Sequence, residues 1–288
     1  MTNVNITGKG ADLVQSGLAD FLKLNTVTAT STELVATASF RLFHQKFTIT
    51  NKFEGKDFTY NSADRFTGGK VTDWSFDATE DGRPIASLTI SDFAISAVKL
   101  VKLMKEDSPR ALLSEIFSGD DIFTTARTKS TSEVNINGYG GDDSIGGSAG
   151  NDKLAGGADD DVLAGGAGKD ALRGGTGTDT LRGNVGGDQF IFDAALGPDN
   201  IDHILDFATG SDTIVLENRV FNELAAGNLD SDAFFIGIRA TDSDDRVVYN
   251  STSGKLYFDL DGKGGGKQVF FAQLEAELNL LDTDFRVI

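Results

Sequence analysis

Residues 146–179 read "GGSAGNDKLAGGADDDVLAGGAGKDALRGGTGTD". The stretch has almost no large side chains, and it repeats. Asp143, Asp152, Asp161, Asp170, Asp179 and Asp188 follow one another at intervals of nine residues. Two residues after each comes an apolar one: Ile145, Leu154, Leu163, Leu172, Leu181 and Phe190. Glycines precede each Asp, as Gly165, Gly166 and Gly168 precede Asp170. The unit is G-G-x-G-x-D-x-U-x, with U a large apolar residue. Glycine takes φ > 0 without steric cost, so GGxG predicts a tight turn. The x-U-x run predicts a short strand with one inward side chain. Two such units, 18 residues, make one coil with a strand on each side and set residue i beside residue i+18. A flexible Gly-rich linker has no reason to keep an apolar residue at a fixed phase to Asp six times over.

Stacking of this kind places Asp143, Asp161 and Asp179 along one edge of the roll and Asp152, Asp170 and Asp188 along the other. Carboxylates so close repel unless a cation lies between them. A hard divalent cation with several oxygen ligands fits, and Ca²⁺ suits a flexible cage of carboxylates and carbonyls better than Mg²⁺ does. The candidate ligands are the six Asp side chains and the turn carbonyls of Gly147, Gly156, Gly157, Ala158, Gly165, Gly166, Ala167, Gly168, Gly174, Gly175, Thr176 and Gly177. The pairs 143/161, 161/179, 152/170 and 170/188 would hold about four ions.

The rest of the composition agrees with cation binding. A chain of 288 residues has room for two or three domains. Its formal charge is −18, which repels nucleic acid and anionic lipid and attracts cations. There is no Cys, so disulfides, thiol catalysis and Cys-ligated zinc are excluded. No stretch approaches the ~18 apolar residues of a membrane helix. "MTNVNITGKGADLV" lacks the pattern of a Sec signal peptide, so by this test alone the expectation is a cytosolic protein or one exported by a route that does not read this segment.

The six nonapeptides of residues 138–192 resemble those of the RTX (repeats-in-toxin) family of secreted calcium-binding proteins. Asp159 stands where a fourth-position Gly is expected, and Ser148 and Asn184 replace second glycines. Val134 and Ile136 resemble a half-turn without its Asp, and "SGDDIF" at 118–123 a stray starting turn. Downstream, "ALGPDNIDHILDF", "SDTIVLEN", "DRVVYNSTSGKLYFDLDG" and the ending "DTDFRVI" resemble the C-terminal region of type I secreted RTX proteins, including the part shared with serralysin-type peptidases. The resemblance implies a C-terminal export signal read by an ABC transporter, and a Gram-negative, extracellular or cell-surface protein. Within this tail "VVYNSTSGKLYF" reads as a hairpin turning at Gly254. "AQLEAELNLL" places Leu274, Leu278 and Leu281 at helical spacing. "DLDGKG" at 259–264 resembles the start of an EF-hand loop, but Lys263 occupies a ligand position, and it reads as a turn.

The expected fold is therefore β-rich and multidomain. An N-terminal α+β domain spans 1–118, a parallel β-roll of calcium-binding nonapeptides 119–192, and a C-terminal β-rich cap and secretion region 193–288. In the first, residues 11–23 and the segment after Ser108-Pro109 read as helices. "SFRLFHQKFTIT", "DFTYNS", "KVTDWSFDA" and "ASLTISDFAIS" read as strands. No catalytic residue is assigned. There is no HExxH, and the two histidines are His44 and His203. The GxSxG-like "GGSAG" sits inside the repeats rather than on a nucleophile elbow.

Three readings of the whole remain open. The first is a non-enzymatic adhesion or matrix protein that contacts surface polysaccharide or itself. The second is a ligand carrier: "DFTYNSADRFTGGKVTDWSFD" resembles haemophores, which would give haem the ligands His44 and Tyr60. The third is a glycan hydrolase using an acidic pair such as Asp73 and Asp77.

Overall fold

The computed structural model describes the strands of residues 2–96, the segment 119–125 and the continuous stretch 133–288, with side chains at 119–123 and 133–288. The chain divides into two units, Met1–Thr128 and Lys129–Ile288. No helix among the described residues is long and apolar enough to cross a membrane.

In the first unit the described strands are β1 (Thr2–Gly8), β2 (Thr26–Ala29), β3 (Glu33–Leu42), β4 (Gln45–Tyr60), β5 (Phe66–Glu80), β6 (Arg83–Ser91), β7 (Ile95–Ser96) and β8 (Asp121–Thr125). They lie in the order β8-β1-β6-β5-β4-β3-β2, with β7 also paired to β5. All pairings are antiparallel except β1 with β8. The predicted strands fall within β3 to β7, where β-branched and aromatic residues alternate with polar ones. In "SGDDIF", Asp121 opens β8 beside β1, and Asp121 and Phe123 are both buried. Both predicted helices, 11–23 and the one after Pro109, lie outside the described residues.

The second unit is a two-sided roll. One sheet stacks β10 (Ser144–Gly146), β12 (Val162–Gly168), β14 (Thr180–Gly186) and β16 (Asp202–Ile204) in parallel. The other stacks β9 (Asn135–Asn137), β11 (Lys153–Ala158), β13 (Ala171–Thr176), β15 (Gln189–Phe192) and β17 (Thr213–Leu216) in parallel. The repeat sets the register: Ile145 faces Leu163 and Leu163 faces Leu181, while Leu154 faces Leu172 and Leu172 faces Phe190. These side chains are all buried and form two apolar columns through the roll. Each fully buried aliphatic side chain contributes about 1.5–3 kcal/mol.

The roll does not stop at residue 192. Ile204 continues the first column against Leu181, and Ile214 then Phe285 continue the second beyond Phe190. β22 (Val269–Gln273) joins β16 in parallel, and β23 (Phe285–Val287) joins β17 in parallel. The hairpin of β20 (Val247–Asn250) and β21 (Lys255–Phe258) adds to β22, with Gly254 in the turn at φ 73°. Around it, edge-to-face aromatic pairs join Phe192 to Phe271 and Phe221 to both Phe258 and Phe271 at 5.1–5.2 Å. This end therefore holds a conventional core, which the repeats lack.

One expectation fails. "AQLEAELNLL" forms no helix; its start completes β22 and the remainder is irregular. Glu277 takes φ 65°, outside any right-handed helix. Its amide donates to Ser251 O at 2.7 Å, and the Leu278 amide to Tyr249 Oη at 3.2 Å. Bonds to the neighbouring hairpin override the leucine periodicity. "DLDGKG" is a turn, as expected, with Gly262 at φ 63°.

Candidate metal centre

The six predicted Asp side chains all point into the roll, each at most 2% exposed. They form two ladders. The amide of Asp143 donates to Asp161 Oδ1, and that of Asp161 to Asp179 Oδ1, each at 2.8 Å. On the opposite edge Asp152 donates to Asp170 Oδ1 at 2.8 Å and Asp170 to Asp188 Oδ1 at 2.9 Å. One carboxylate oxygen thus locks a coil to the coil before it. The Oδ2 atoms of Asp161, Asp170, Asp179 and Asp188 are buried without a hydrogen-bond partner. Buried unpartnered carboxylate oxygens are costly, and a cation removes that cost.

The positions of the glycines follow from these ladders. A Cβ on Gly156, Gly165, Gly174 or Gly183 would collide with Oδ2 of the Asp five residues on, so the first Gly of each turn makes room for the carboxylate. The second and fourth positions answer to the preceding coil. Gly175 (φ 118°) lies against Gly157 O and Gly177 (φ 133°) against Asp159 O, where a side chain has no space. Asp159 tolerates its left-handed φ of 75° by turning its carboxylate back onto the Gly141 amide at 3.1 Å.

No three His, Cys, Asp or Glu side chains converge as a metal cluster among the described residues. The donor set therefore has to be an Asp from each turn completed by the glycine-turn carbonyls, the oxygen-only environment that hard Ca²⁺ prefers. With an unpartnered carboxylate oxygen on successive turns and bare main chain beside it, the residues present fit Ca²⁺.

The ladders also run further than the nine-residue beat. Asp179 donates its amide to Asp202 Oδ1 at 3.3 Å, and Asp188 to Asp212 Oδ1 at 2.9 Å. Asp212 Oδ2 accepts from the Ala208 amide at 2.8 Å, and Asp206 accepts from Gly183 and Asn184 at 2.9 Å. The steps to Asp202 and Asp212 are 23 and 24 residues, which hides them from a search at nine or 18. A local signal does exist: Asp202 precedes Ile204 and Asp212 precedes Ile214, in the same D-x-U phase. A third row lies outside the spacing argument. Asp142, Asn151 and Asp160, each just before a ladder Asp, accept from the amides of Asp160, Lys169 and Thr178 one coil on, at 2.7–3.0 Å.

Burial sets the electrostatics. It pushes the Asp161 carboxyl up to about 7, partly offset by the Asp143 amide and raised further by Asp179. Asp170 is pushed up to about 6 for the same reason, offset by the Asp152 amide and raised by Asp152 and Asp188. Asp202 is also raised, first by burial and then by the charge on Asp179. A carboxyl whose folded-state pKa exceeds the ordinary 3.8 favours the metal-free fold at low pH. That stabilisation is complete below about 3.8 and is lost as pH rises through about 6 to 7. In EDTA, circular dichroism should therefore show more β-structure at pH 5 than at pH 8. In the presence of metal, protons compete for the same oxygens. The Ca²⁺ midpoint should rise as pH falls below 7; a midpoint independent of pH would contradict this assignment.

Gly174→Ala tests the cradle directly. Its Cβ would displace the Asp179 carboxylate, and the Ca²⁺ midpoint should rise about tenfold, on the order of 1.4 kcal/mol. Exposed Thr178→Ala should leave it within about 0.5 kcal/mol of its starting value. Equal midpoints for the two variants would contradict the cradle.

Of the other candidates, His44 lies outside the described residues. Tyr60 falls at the end of β4, and Asp73 and Asp77 fall on β5, where the structure gives the backbone only. His203 lies on β16 with its side chain on the outer face, next to Gln273 in register.

The model of the RTX calcium-binding nonapeptide repeat matches residues 137–172 and 155–190. None of the curated proteins matches the chain. Among solved structures, the chain is similar to the solution structure of the AlgE6R3 subunit from the Azotobacter vinelandii mannuronan C5-epimerase. The identity is 23%, over 58% of this chain and 78% of that one, with a TM-score of 0.29. The matched residues are those whose Asp ladders and glycine cradles are described above, and by them the second unit carries RTX calcium-binding nonapeptide repeats, folded as a parallel β-roll.

Proposed function

We propose that this is an extracellular, non-enzymatic RTX protein, exported by a type I system through its C-terminal region and folded by Ca²⁺ once outside, where it serves adhesion or matrix contact. The reading is carried by one observation: paired rows of buried Asp with unpartnered oxygens, in a chain of charge −18. At the low free Ca²⁺ of a cytoplasm these rows repel, and the repeats have little apolar surface with which to compensate. When bound, Ca²⁺ supplies the positive charge and oxygen coordination that let the rows close. Ladder amides hold each carboxylate at its post, and the Ile and Leu columns set the register. Extracellular modules bind in the range of about 10⁻⁴–10⁻³ M, so folding and location are coupled.

The resemblance of the tail sequence to type I secreted proteins supports the export route, and the absence of Cys, favourable for a chain that travels unfolded, agrees with it. A Ca²⁺ titration of the purified chain, followed by far-UV circular dichroism and light scattering together, tests the reading. β-signal appearing near millimolar Ca²⁺ with a monomeric mass places the contact function in the chain's own surfaces. A mass that climbs with Ca²⁺ makes self-assembly the matrix function. No response to Ca²⁺ would overturn the reading.

A further inference from the structure

In the C-terminal part of the second unit, residues 238–241 and 259–268 enclose a cleft of about 880 Å³. Its lining carries three cations, Arg239, Lys263 and Lys267, all exposed. The ion pairs between described side chains lie elsewhere: Lys153 with Glu133, Arg173 with Asp193, and Arg219 with Glu217. The three cations thus stand unpaired in a chain of charge −18.

Carboxylates are close in sequence, yet they are engaged within their own turns. Asp245 Oδ2 accepts from Thr241 N, Thr241 Oγ1 and Asp242 N at 2.7–3.1 Å. Asp242 Oδ1 accepts from the Asp244 and Asp245 amides. Asp261 Oδ2 accepts from Gly266 N at 3.0 Å, and Asp259 Oδ1 from Asp261 N at 3.3 Å. Of these carboxylates only Asp259, itself 5% exposed, borders the cleft. The neighbouring Arg246 is occupied with Ser243 O and Asp245 O. Gln268 Nε2 donates to Ile238 O at 2.9 Å and ties one wall to the other.

The remaining chemistry narrows the ligand. The size lies within the range of about 300–1,000 Å³ usual for small-ligand pockets. Gly262, Gly264 and Gly266 contribute one wall without side chains of their own. The lining has no aromatic side chain, the usual anchor of a protein partner. Three exposed cations along one cleft suit repeated anionic groups on a hydroxyl-rich chain. We infer that the cleft lined by Arg239, Lys263 and Lys267 is a binding site for an anionic glycan, a sugar chain carrying carboxylate or sulfate groups. The inference rests on the extracellular reading only for the source of the ligand; the site itself requires no more than the folded second unit.

The test uses the full chain in saturating Ca²⁺ on surfaces bearing polygalacturonate, dextran sulfate or neutral dextran. Binding to polygalacturonate or dextran sulfate, absent on dextran and weakened by NaCl, is expected; which polymer binds identifies the anion. The combined Arg239→Ala, Lys263→Ala and Lys267→Ala variant should lose affinity at least about tenfold while keeping its circular dichroism and Ca²⁺ midpoint. Lys263→Glu alone should also weaken binding, and serves if the triple variant does not fold.

Ca²⁺ bridging between the Asp turns and an acidic polymer would survive removal of the cations. Undiminished binding by the folded variants therefore overturns the inference. So does equal binding to neutral dextran, or no binding to either polyanion. A chain that fails to fold with Ca²⁺ strikes the proposed function instead, and is recognised by its circular dichroism before any surface is tested.

Discussion

Removal of Ca²⁺ by EDTA at pH 8 is expected to abolish hydrogen-exchange protection in strands 135–186, while the aromatic end around Phe192, Phe221, Phe258 and Phe271 keeps protection longer. The repeats bury one large apolar side chain for every nine residues ordered, worth about 1.5–3 kcal/mol. Fixing the backbone of nine residues costs more than that, at about 1–2 kcal/mol each. At pH 8 the ladder carboxyls, whose folded-state values are raised to about 6 and 7 for Asp170 and Asp161, are ionised and repel one another. Metal binding reverses the balance, adding about 2.7 kcal/mol for each site at a hundredfold excess over its dissociation constant. The C-terminal end is different, because Phe221 and Phe271 are almost wholly buried in a cluster that needs no metal. Exchange monitored by mass spectrometry after EDTA addition separates the two regions. Protection of 135–186 that is unchanged by EDTA would mean that the repeats stand without metal and that Ca²⁺ does not fold them.

Phe285→Ala should be the most damaging single substitution in the tail. Phe285 is 1% exposed, ends the apolar column that begins at Ile136, and packs on Phe234 with ring centroids 5.2 Å apart. Its strand is paired on both sides, parallel to β17 and antiparallel to Gly227–Asn228. Truncating such a residue costs about 3–5 kcal/mol. In saturating Ca²⁺ the melting temperature should fall by about 10 °C. Arg286→Ala, on the exposed face of the same strand, should change it by less than about 2 °C. A loss in the Arg286 variant as large as that in the Phe285 variant would show that the strand is held by its surface and not by the column.

Folding of the C-terminal strand into the roll has a functional side. Under the proposed export route the segment that is read by the transporter is also a strand paired to the roll. Asp284 reinforces this, accepting from the Gly210 amide at 2.8 Å and the Leu281 amide at 2.9 Å. The same residues can then be accessible in the unfolded chain and covered in the folded one.

How much was legible in advance differs from element to element. Leu163 against Leu181 and Asp161 against Asp179 could be placed from spacing, because a strict repeat converts sequence distance into spatial distance. Asp202 and Asp212 could not, because insertions of five and six residues into the 18-residue coil break that conversion while the hydrogen bonds persist. The hairpin at Gly254 was readable from a local turn signal. The expected helix at Leu274–Leu281 was not a helix, because Ser251 and Tyr249 claim its amides.

By itself the sequence determined that residues 138–192 form a roll, that Asp lines its edges, that Ile and Leu fill its middle, and that the cation is Ca²⁺. All of these depend on short-range periodicity and on the chemistry of single residue types. Only the tertiary structure decided why the glycines sit where they do. The first of each turn yields its space to a carboxylate five residues on, and the second and fourth yield theirs to carbonyls of the coil before. The tertiary structure also decided that the roll continues to Phe285, and that Arg239, Lys263 and Lys267, up to 28 residues apart in sequence, share one cleft. Contacts of this kind depend on where separate segments meet, and no local pattern records that.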